Sequence, residues 1–323
     1  MGNIRKTDDK GEIQMKIIYS TDNAKFSKPL GVGLGNFDGL HIGHVALLNV
    51  LINECSINNL HSIIYTFIKH PDNIINKNLV TPLLITAQKK AELFAKLPVD
   101  YLFYENFDES FSRMQPEEFV RDILVNRLNI KLAVAGFDYT FGYKGTGNAD
   151  LLKELGQKYG FKVVIIPPIK INDKIVSSTL IREYLSKGDM ENAFSFLGRH
   201  YSITGVVEHG KGLGGKLGFP TANITPEDYL LMPAYGVYAT KTVIDGKAYS
   251  SITNVGTAPT IAEGPGDNKA RIETYILDFS ENIYGKPIEI YFIKKIRDER
   301  KFNNTEELIM QIKNDISAAK LYI

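Results

Sequence analysis

The feature that most constrains the fold of this chain is a change in its hydrophobic pattern near residue 200. From residue 15 to about residue 185, short apolar runs alternate with stretches that repeat apolar residues at helical spacing. Several of those runs are continuously apolar, which is typical of strands in a parallel sheet covered by helices on both faces. After residue 200, short strand patterns follow one another with turn signals between them. The sequence therefore predicts two unlike domains.

The first part is predicted to be a Rossmann-like α/β domain over residues 15–185. Its strands are predicted in MKIIYS, PLGVGL, SIIYTF, VDYLFY, KLAVAGF and FKVVIIPP. The segments between them indicate helices. Two of these are TAQKKAELFAKL, which Thr86 is expected to cap, and PEEFVRDILVNRL, where Pro116 suits the first helical position. Residues 1–14 are polar and are expected to be a disordered extension or a leader.

The second part is predicted to be a compact antiparallel β-barrel with a C-terminal helix, over residues 201–323. Five strands are predicted, in YSITGVVEH, GVYATKTVI, AYSSITNVG, RIETYILDF and PIEIYFIKKI, with no helix between them. The last segment, NTEELIMQIKNDISAAK, places its apolar residues on one stripe of a helix. A helical linker over residues 186–200 is expected to join the domains.

Charge and cysteine content restrict the partners and the compartment. Lys and Arg number 38 against 37 Asp and Glu, so the net charge is +1. Because no global basic field exists, any anion must be bound by a local site. A single cysteine, Cys55, excludes an internal disulfide, and no apolar run approaches the roughly 20 residues that span a bilayer. A cytoplasmic protein is expected.

The segment GVGLGNFDGLHIGH, residues 31–44, indicates a phosphate site. It follows a predicted strand, and in an open α/β sheet ligands bind outside the carboxyl ends of the strands. His41 and His44 are three residues apart and share one face of a helix start. The unpaired N–H groups of such a start favour an anion, and imidazoles can donate hydrogen bonds to phosphate oxygens. The alternative is a helix cap with two surface histidines.

The segment VSSTLIREYL adds weight to the phosphate interpretation. Ser177, Ser178 and Thr179 are expected to precede a helix, with Arg182 one turn into it. The hydroxyls can cap the helix or contact a nucleotide, and Arg182 can hold a phosphate through two parallel hydrogen bonds. Alone, this pattern indicates only a helix cap; together with the upstream His-x-Gly-His it becomes more specific.

These motifs resemble the nucleotidylyltransferases with an HxGH signature, in particular the FMN adenylyltransferase module of bacterial FAD synthetases. The resemblance is carried by GNFDGLHIGH, VAGFDYTFGYKGTG and SSTLIR. It implies that His41, His44 and Arg182 are catalytic residues near the ATP phosphates, and that Asp138 belongs to the flavin and nucleotide pocket. It also implies nucleotide contacts by Gly35, Phe37, Asp38, Gly43, Ser178 and Thr179.

A second candidate site lies in HGKGLGGKLGFPTAN, residues 209–223. The N–H groups of its glycine-rich part could surround a phosphate, although the pattern is not a Walker A loop and a structural loop is the alternative. In FPTAN, the Thr221 hydroxyl and the Asn223 amide oxygen project the same way from an extended chain. Two neutral oxygens suit a Mg²⁺ ion that arrives with a nucleotide. The alternative for this pair is a common Asn-Thr turn.

The segment RIETYILDF contains a candidate general base. In a strand, Glu273 shares a face with Tyr275, Leu277 and Phe279. Desolvating a carboxylate on such a face is costly unless it has a partner or a function. Glu273 could therefore accept a proton from a substrate hydroxyl. A salt bridge at the strand edge is the rival interpretation.

Residues 201–320 resemble the riboflavin kinase module of the same bifunctional enzymes. The resemblance is carried by the glycine-rich loop, GFPTANI, TNVGTAPT, IETYILDF, IYGKPIEIYFIKKIRDERKF and the terminal helix. It implies that Thr221 and Asn223 bind Mg²⁺ and that Glu273 activates the ribityl 5′-hydroxyl of riboflavin. It also implies flavin or nucleotide contacts by Arg297, Arg300, Phe302, Gly210, Lys211, Gly214, Lys216, Gly218 and Pro220.

The chain departs from the family pattern at two places. Members usually have TFxPHP after the second strand, whereas TFIKHP here keeps His70 and Pro71 but has Lys69 in place of a proline. In the barrel, Ala258 and Ile261 stand where the family often has a basic residue and Phe.

The leading hypothesis is a bifunctional enzyme of flavin cofactor synthesis that needs no tightly bound organic cofactor. The C-terminal domain would phosphorylate riboflavin with ATP to give FMN and ADP. The N-terminal domain would adenylylate FMN with a second ATP to give FAD and pyrophosphate, both steps using Mg²⁺. No membrane or nucleic-acid partner is expected, and the protein is expected to be a monomer or a weak oligomer.

Two alternatives remain open at this stage. One is a flavin-binding protein that retains only one of the two activities, with the loss at the departures from the family pattern. The other is a tRNA-binding enzyme of the HxGH type. It is disfavoured because the chain lacks a Lys-Met-Ser-Lys-Ser-like loop, a basic net charge and a clustered basic and aromatic stripe.

Overall fold

The computed structural model describes residues 15–22, 24, 26, 28–69, 71–75, 81–210, 213–227, 229–257 and 270–323. The chain divides into two compact units, one ending at Val176 and the other beginning at Ser177.

The first unit is built on a parallel sheet of six strands, as the sequence predicts. The strands are β1 Lys16–Tyr19, β2 Leu30–Leu34, β3 His61–Phe67, β4 Tyr101–Glu105, β5 Ile130–Gly136 and β6 Lys162–Ile166. Their order across the sheet is β1-β4-β3-β2-β5-β6, and every neighbouring pair is parallel. Chain order reverses between β2 and β5, so a crevice forms there at the carboxyl ends of the strands. A short hairpin, β7 Lys170–Ile171 and β8 Lys174–Ile175, follows the sheet.

Helices cover both faces of this sheet. They are α1 Ile42–Ile57, α2 Pro71–Ile75, α3 Ala87–Phe94, α4 Glu109–Ser112, α5 Pro116–Glu118, a π-helix Phe119–Arg127, a 3₁₀ turn Tyr143–Gly145 and α6 Ala149–Tyr159. Two separate apolar clusters result, and adjacent residues of one strand enter different clusters: Ile63 packs in one and Ile64 in the other. This two-sided burial explains the continuously apolar strand patterns.

Two helices of the first unit begin at the predicted residues, and one of them continues as a π-helix. Thr86 caps α3 as expected, because its Oγ1 accepts from the Lys89 N–H at 3.1 Å. Pro116 opens α5, also as expected. The helix predicted to continue from it is present, and its part Phe119–Arg127 winds as a π-helix. Its i→i+5 repeat aligns residues five apart, which lets Phe119 and Leu124 both enter the core.

The second unit is a closed barrel with helices before and after it. Its elements are α7 Ser178–Lys187, α8 Met190–Leu197, β9 Tyr201–Glu208, α9 Leu213–Lys216, β10 Thr221–Ile224, β11 Gly236–Ile244, β12 Lys247–Thr257, β13 Ala270–Ile276, β14 Pro287–Arg297 and α10 Thr305–Ala319. The strands close in the order β10-β13-β12-β11-β14-β9, all antiparallel. The predicted barrel and terminal helix are confirmed. Across the described ranges, no helix combines the length and apolar character needed to cross a bilayer.

Two local features of the second unit differ from the prediction. The FPTAN segment contains a strand of the barrel, β10. The glycine-rich segment contains a helical turn, α9, although no helix was predicted between the strands. The turn closes because the Gly214 carbonyl accepts from the N–H groups of Leu217 and Phe219, at 3.1 and 2.8 Å.

The two faces of the barrel wall have different roles. Inside, five fully buried hydroxyl residues form a hydrogen-bonded cluster: Thr240, Thr242, Ser251, Thr253 and Thr274. Outside, Ala319 and Ile316 of α10 pack against Val237 and Ala239 of β11. The outward side chains of the barrel are therefore the ones that can form a site.

Candidate active sites

His41 and His44 form a stacked pair beyond the end of β2. His41 is the N-cap of α1, with φ −75° and ψ 171°, and its Nδ1 accepts from the His44 N–H at 3.2 Å. The two rings stack with centroids 3.5 Å apart and 14° between their planes. Because Nδ1 of His41 accepts, the neutral ring carries its hydrogen on Nε2, where it can be donated to a ligand. The prediction that the two imidazoles share one face at a helix start is confirmed.

The loop from Asn36 to Leu40 carries this pair in a strained conformation. Phe37, Gly39 and Leu40 have φ values of +50°, +80° and +38°. Such a value in a residue other than glycine costs of order 1–3 kcal/mol and persists only where the surroundings hold it. Phe37 is fully buried and meets the His44 ring edge-on at 5.2 Å. Asp38, 3% exposed, accepts from the N–H of Leu84 at 2.9 Å.

Glycines make room for the rings at this site. A Cβ at Gly43 would lie 3.2 Å from the His41 ring, and one at Gly35 would lie 3.2 Å from the Phe37 ring. Asp138 is exposed and directly follows β5, the neighbour of β2 in the sheet. The structure therefore brings Asp138 and the histidine loop to the same edge of the sheet.

An aromatic group at this edge was missed by the sequence analysis. Phe67 ends β3, and Phe107 and Phe111 follow β4. Their rings contact one another at centroid distances of 5.3, 5.9 and 5.6 Å, and all three are half-buried. Half-buried rings suit a flat aromatic ligand. The available signal was the recurrence of Phe where predicted strands end.

A buried lysine was also missed. Lys90 of α3 is 7% exposed, and its Nζ donates to the Asn36 carbonyl at 2.8 Å. Desolvation by burial lowers the pKa of Lys90 to about 8, although the charge of Asp38 opposes the shift. The signal in the sequence was a lysine four residues before Phe94, on the apolar stripe of its helix.

The SSTLIR residues belong to the second unit. Ser177 is the N-cap of α7, and its Oγ accepts from the Leu180 N–H at 3.3 Å. Ser178 and Thr179 lie within the first turn of α7, so the expectation that they precede the helix is wrong for both. Arg182 lies one turn into the helix, as expected, and is half-buried. Its approach to the histidine pair stays a prediction.

The second unit contains a cavity of about 250 Å³ on the outer face of the barrel, against α10. Glu273 and Tyr275 of β13 line it, while the alternating Ile272, Thr274 and Ile276 are buried. The predicted shared face of Glu273 and Tyr275 is therefore confirmed. From α10 the lining residues are Leu308, Ile312 and Asp315.

Thr221 and Asn223 project from the same side of β10, because Ala222 and Ile224 point inward and are buried. Thr221 lines the cavity, and Asn223 is paired with Glu273 across the strands. The Asn223 amide nitrogen donates to the Thr221 carbonyl at 3.2 Å.

The glycine-rich segment approaches these side chains closely. A Cβ at Gly210 would collide with the Asn223 amide, and one at Gly214 would collide with the Phe219 carbonyl. Lys216 ends α9, Gly218 has a φ of +86°, and Pro220 is exposed.

Two arginines and a phenylalanine lie together at the cavity. Arg297 binds Asp315 in a bidentate ion pair, Nε to Oδ1 at 3.0 Å and Nη2 to Oδ2 at 2.9 Å. The Arg300 and Arg297 guanidinium groups lie 4.7 and 5.7 Å from the centre of the Phe302 ring. Asp315, 3% exposed, was missed by the sequence analysis although it interrupts the apolar stripe of α10.

The two departures from the family pattern are only partly visible. Lys69 is exposed and Pro71 begins α2. Four residues singled out in the sequence lie outside the described residues: His70, Lys211, Ala258 and Ile261.

Comparison with known proteins finds one family model for each half of the chain. The FAD synthetase family model matches residues 23–180, and the riboflavin kinase family model matches residues 197–323. Several curated bacterial relatives are described as bifunctional riboflavin kinase/FMN adenylyltransferases. The Buchnera aphidicola (subsp. Schizaphis graminum) protein is 37% identical, covering 95% of this chain and 99% of the relative. The Bacillus subtilis protein is 35% identical (90% and 92%), and the Escherichia coli K12 protein is 33% identical (95% and 97%).

A solved structure extends the similarity to the fold. A Streptococcus pneumoniae chain, described as a macrolide-efflux protein, matches with a TM-score of 0.85 and 29% identity. The match covers 95% of this chain and 99% of that one.

Proposed function

Because the chain belongs to the bifunctional riboflavin kinase/FMN adenylyltransferase family, we propose that its two reactions are divided between the two units. The chain is a riboflavin kinase and an FMN adenylyltransferase, and riboflavin, FMN, ATP and FAD are its substrates and products. The second unit phosphorylates riboflavin, and the first unit adenylylates FMN. The observation that carries this division is the different construction of the two sites: a carboxylate in a barrel cavity, and an imidazole pair at a sheet edge.

In the kinase reaction, Glu273 acts as the general base. Its carboxylate accepts the proton of the ribityl 5′-hydroxyl as that oxygen attacks the γ-phosphorus of ATP and ADP leaves. The apolar residues Leu308 and Ile312 of α10 and the ring of Tyr275 line the same cavity, which suits the isoalloxazine ring. Arg300 and Phe302 contact the flavin or the nucleotide beside them.

Thr221 and Asn223 are the proposed Mg²⁺ ligands. Their hard oxygen donors project from one side of β10, next to Glu273, which fits an ion that brings phosphate and water ligands of its own. When bound, the ion offsets the negative charge of the ATP phosphates. The glycine-rich loop of Gly210, Lys211, Gly214, Lys216 and Gly218, with Pro220, contacts the same phosphates.

In the adenylyltransferase reaction, a phosphate oxygen of FMN attacks the α-phosphorus of ATP and pyrophosphate leaves. His41 and His44 donate hydrogen bonds to phosphate oxygens, and these bonds strengthen as negative charge develops. The N-terminal N–H groups of α1 act on the same charge. Arg182, Ser178 and Thr179 are assigned phosphate contacts on the family resemblance alone. Asp138 and the aromatic group of Phe67, Phe107 and Phe111 contact the flavin.

Further assignments follow from the sequence. The adenylyltransferase module spans residues 15–185 and the kinase module residues 201–323, with residues 186–200 as the linker. The enzyme works in the cytoplasm, as a monomer or a weak oligomer. Burial raises the pKa of the Cys55 thiol to about 12.

The test is a chromatographic assay of products. The purified chain is incubated with riboflavin, ATP and Mg²⁺, and FMN is expected to appear first and FAD second. A parallel incubation with FMN and ATP is expected to yield FAD and pyrophosphate in equal amounts. Chelation of divalent cations is expected to stop both reactions. Failure to form FMN in the first incubation, or to form FAD in the second, would contradict the proposed pair of activities.

A further inference from the structure

A buried ammonium group lies beneath the loop that carries the histidine pair. Nζ of Lys90 donates to the Asn36 carbonyl at 2.8 Å, and to the Thr66 hydroxyl and the Phe67 carbonyl at 3.4 Å each. Asn36 follows β2, and Thr66 and Phe67 end β3. One side chain of α3 therefore joins two neighbouring strands where they end.

The residue that Lys90 holds most closely begins the strained loop. The Asn36 carbonyl accepts a second hydrogen bond, from the Thr66 hydroxyl at 3.0 Å. The positive φ values of Phe37 and Leu40 follow directly. A conformation of this kind persists only when its surroundings determine it. Lys90 and Thr66 hold the start of the loop.

The middle and the end of the loop are held separately. The Asp38 carboxylate accepts from the N–H groups of Leu84 and Ile85, at 2.9 and 3.4 Å. The loop ends at His41, which caps α1 and stacks on His44. A shift at Asn36 therefore passes through few residues before it reaches the imidazoles.

Lys90 is a costly choice for this position if it serves only the fold. The three acceptors of its ammonium group are neutral oxygens, and burial of the charge outweighs the favourable influence of Asp38. Removing a buried charge recovers its desolvation penalty, which offsets the hydrogen bonds to neutral oxygens that are lost with it. A residue that lowers stability but holds an active-site loop is typical of a trade-off between stability and activity.

We propose that Lys90 is a positioning residue for adenylyl transfer. Its ammonium group holds the ends of β2 and β3 so that the Asn36–Leu40 loop presents His41 and His44 to the ATP phosphates in one geometry. The proposal rests on the role proposed above for the histidine pair. Lys90 acts through the loop and does not contact the substrate.

The charged groups around Lys90 determine what happens as the pH rises. Asp38 faces Lys90 from the loop after β2. Lys69, which follows β3, lines a small cavity that Asp38 and Lys90 also line. On its own helix, Lys89 and Glu92 form an ion pair at 3.3 Å. The pKa of Lys90 is about 8, so the ammonium group is present below that pH and is lost above it. Charge-assisted hydrogen bonds are roughly twice as strong as neutral ones. The hydrogen bonds from Lys90 to Asn36, Thr66 and Phe67 therefore weaken in alkaline solution.

Stability and activity then move in opposite directions with pH. Between the lowered pKa of the folded state, about 8, and the ordinary pKa of 10.5, the unfolded chain binds more protons at Lys90 than the folded chain does. The contribution of Lys90 to the free energy of unfolding therefore rises with pH in this window. The rate of FMN adenylylation falls in the same window. A purely structural lysine would not produce this opposition.

The experiment compares Lys90→Met with Lys96→Met, a control at an exposed lysine just after the same helix. For each full-length variant, kcat and KM are measured for FMN adenylylation, the riboflavin kinase rate is measured on the same preparation, and urea unfolding gives the stability. Lys90→Met is expected to lower the adenylylation kcat by about 30- to 100-fold, the scale of a misplacement of about 1 Å. Kinase activity and the unfolding midpoint are expected not to fall, and Lys96→Met is expected to behave like wild type.

The pH profile of the wild-type enzyme needs no variant. Between about pH 7 and pH 9.5, the rate of FMN adenylylation is expected to decline with a midpoint near the pKa of Lys90. The rate of the kinase reaction is expected to show no such decline. The proposal is overturned if the wild type lacks this decline or if Lys90→Met retains the wild-type kcat. It is also overturned if Lys90→Met loses activity only in proportion to its loss of folded protein. The variant His44→Ala tests the proposed histidine site separately from the proposed role of Lys90. If His44→Ala keeps FMN adenylylation activity, the proposed site is overturned. If His44→Ala is inactive while Lys90→Met is active, only the proposed positioning role of Lys90 is overturned.

Discussion

In the first unit the candidate histidines lie at a loop end and a helix start beyond the end of a parallel strand, whereas in the second unit the candidate metal ligands and general base stand on the strands themselves. His41 and His44 follow β2, but Thr221, Asn223 and Glu273 stand on β10 and β13. The reason is which surfaces each fold leaves available. Both faces of the open sheet are buried under helices, so only its edge remains. The closed barrel fills its inner face with its own side chains, and α10 covers only part of its outer face, so other outward side chains can line a cavity.

The same difference changes what holds each site in place. The side chains of β10 and β13 are aligned by the hydrogen-bond ladder that pairs Asn223 with Glu273. The loop after β2 has no ladder, and it needs Lys90, Asp38 and a buried Phe37 to keep its positive φ values. We therefore expect the barrel site to tolerate distant changes better than the loop site.

The largest expected effect is a reciprocal loss of the two activities. Glu273→Ala removes the proposed general base, so FMN formation is expected to fall by about 10²- to 10⁴-fold while FMN adenylylation survives. His44→Ala removes a proposed hydrogen-bond donor to the ATP phosphates, so adenylylation is expected to fall by about 10²- to 10³-fold while FMN formation survives. Both rates are measured on each variant by chromatography of FMN and FAD.

Each activity serves as the folding control for the other in this experiment. Glu273→Gln, which keeps the shape of the side chain, is expected to be as inactive in the kinase reaction as Glu273→Ala. Loss of both activities by one folded variant would show that the two sites are not independent.

The next effect tests how α10 is held against the barrel. Asp315→Ala leaves the half-buried Arg297 guanidinium without its carboxylate, so the free energy of unfolding is expected to fall by about 2 kcal/mol. The KM for riboflavin is expected to rise, because Arg297 lines the cavity. Urea unfolding and kinase kinetics measure the two effects.

An exposed ion pair of the same unit provides the control for Asp315→Ala. Glu183 and Lys187 pair at 2.6 Å on the surface of α7, and Glu183→Ala is expected to cost at most about 0.5 kcal/mol. Equal losses for Asp315→Ala and Glu183→Ala would mean that the buried pair does not hold α10.

Two adjacent glycines test whether the kinase loop depends on a close backbone approach. A methyl group at Gly214 would collide with the Phe219 carbonyl, whereas one at Gly215 would meet nothing within 4 Å. Gly214→Ala is expected to raise the KM for ATP in the kinase reaction about tenfold, because the α9 turn must open. Gly215→Ala, the matched control, is expected to stay within about twofold of wild type. A similar KM for both variants would be evidence against the geometry of this turn.

The smallest expected effect is at the single cysteine of the first unit. Cys55 is 3% exposed, and burial raises its pKa to about 12, so the thiolate is scarce near neutral pH. Cys55→Ala is expected to lower the free energy of unfolding by about 1 kcal/mol and to leave both activities unchanged. The native thiol is expected to react with a disulfide reagent only after urea is added. Rapid labelling of the native enzyme would contradict this assignment.

The sequence predicted the fold better than it predicted the supports of the sites. Strand and helix positions follow from the spacing of apolar residues, which is a local property, and the six parallel strands and the barrel were found in this way. The histidine pair and the shared face of Glu273 and Tyr275 were also predictable, because helical and strand periods place residues on faces. Lys90 and Asp315 were not recognised, because each is a charged residue whose partner lies far away in the chain.

The amino-acid order alone determined that an α/β unit precedes a β-barrel, that glycine and histidine meet at one strand end, and that Thr221 and Asn223 project together. These properties depend on backbone periodicity over a few residues. Only the tertiary structure decided that the kinase cavity lies outside the barrel against α10, that Phe119–Arg127 is a π-helix, and that a buried lysine lies beneath the histidine loop. Burial and long-range hydrogen bonding depend on which distant segments pack together, and no local pattern carries that information.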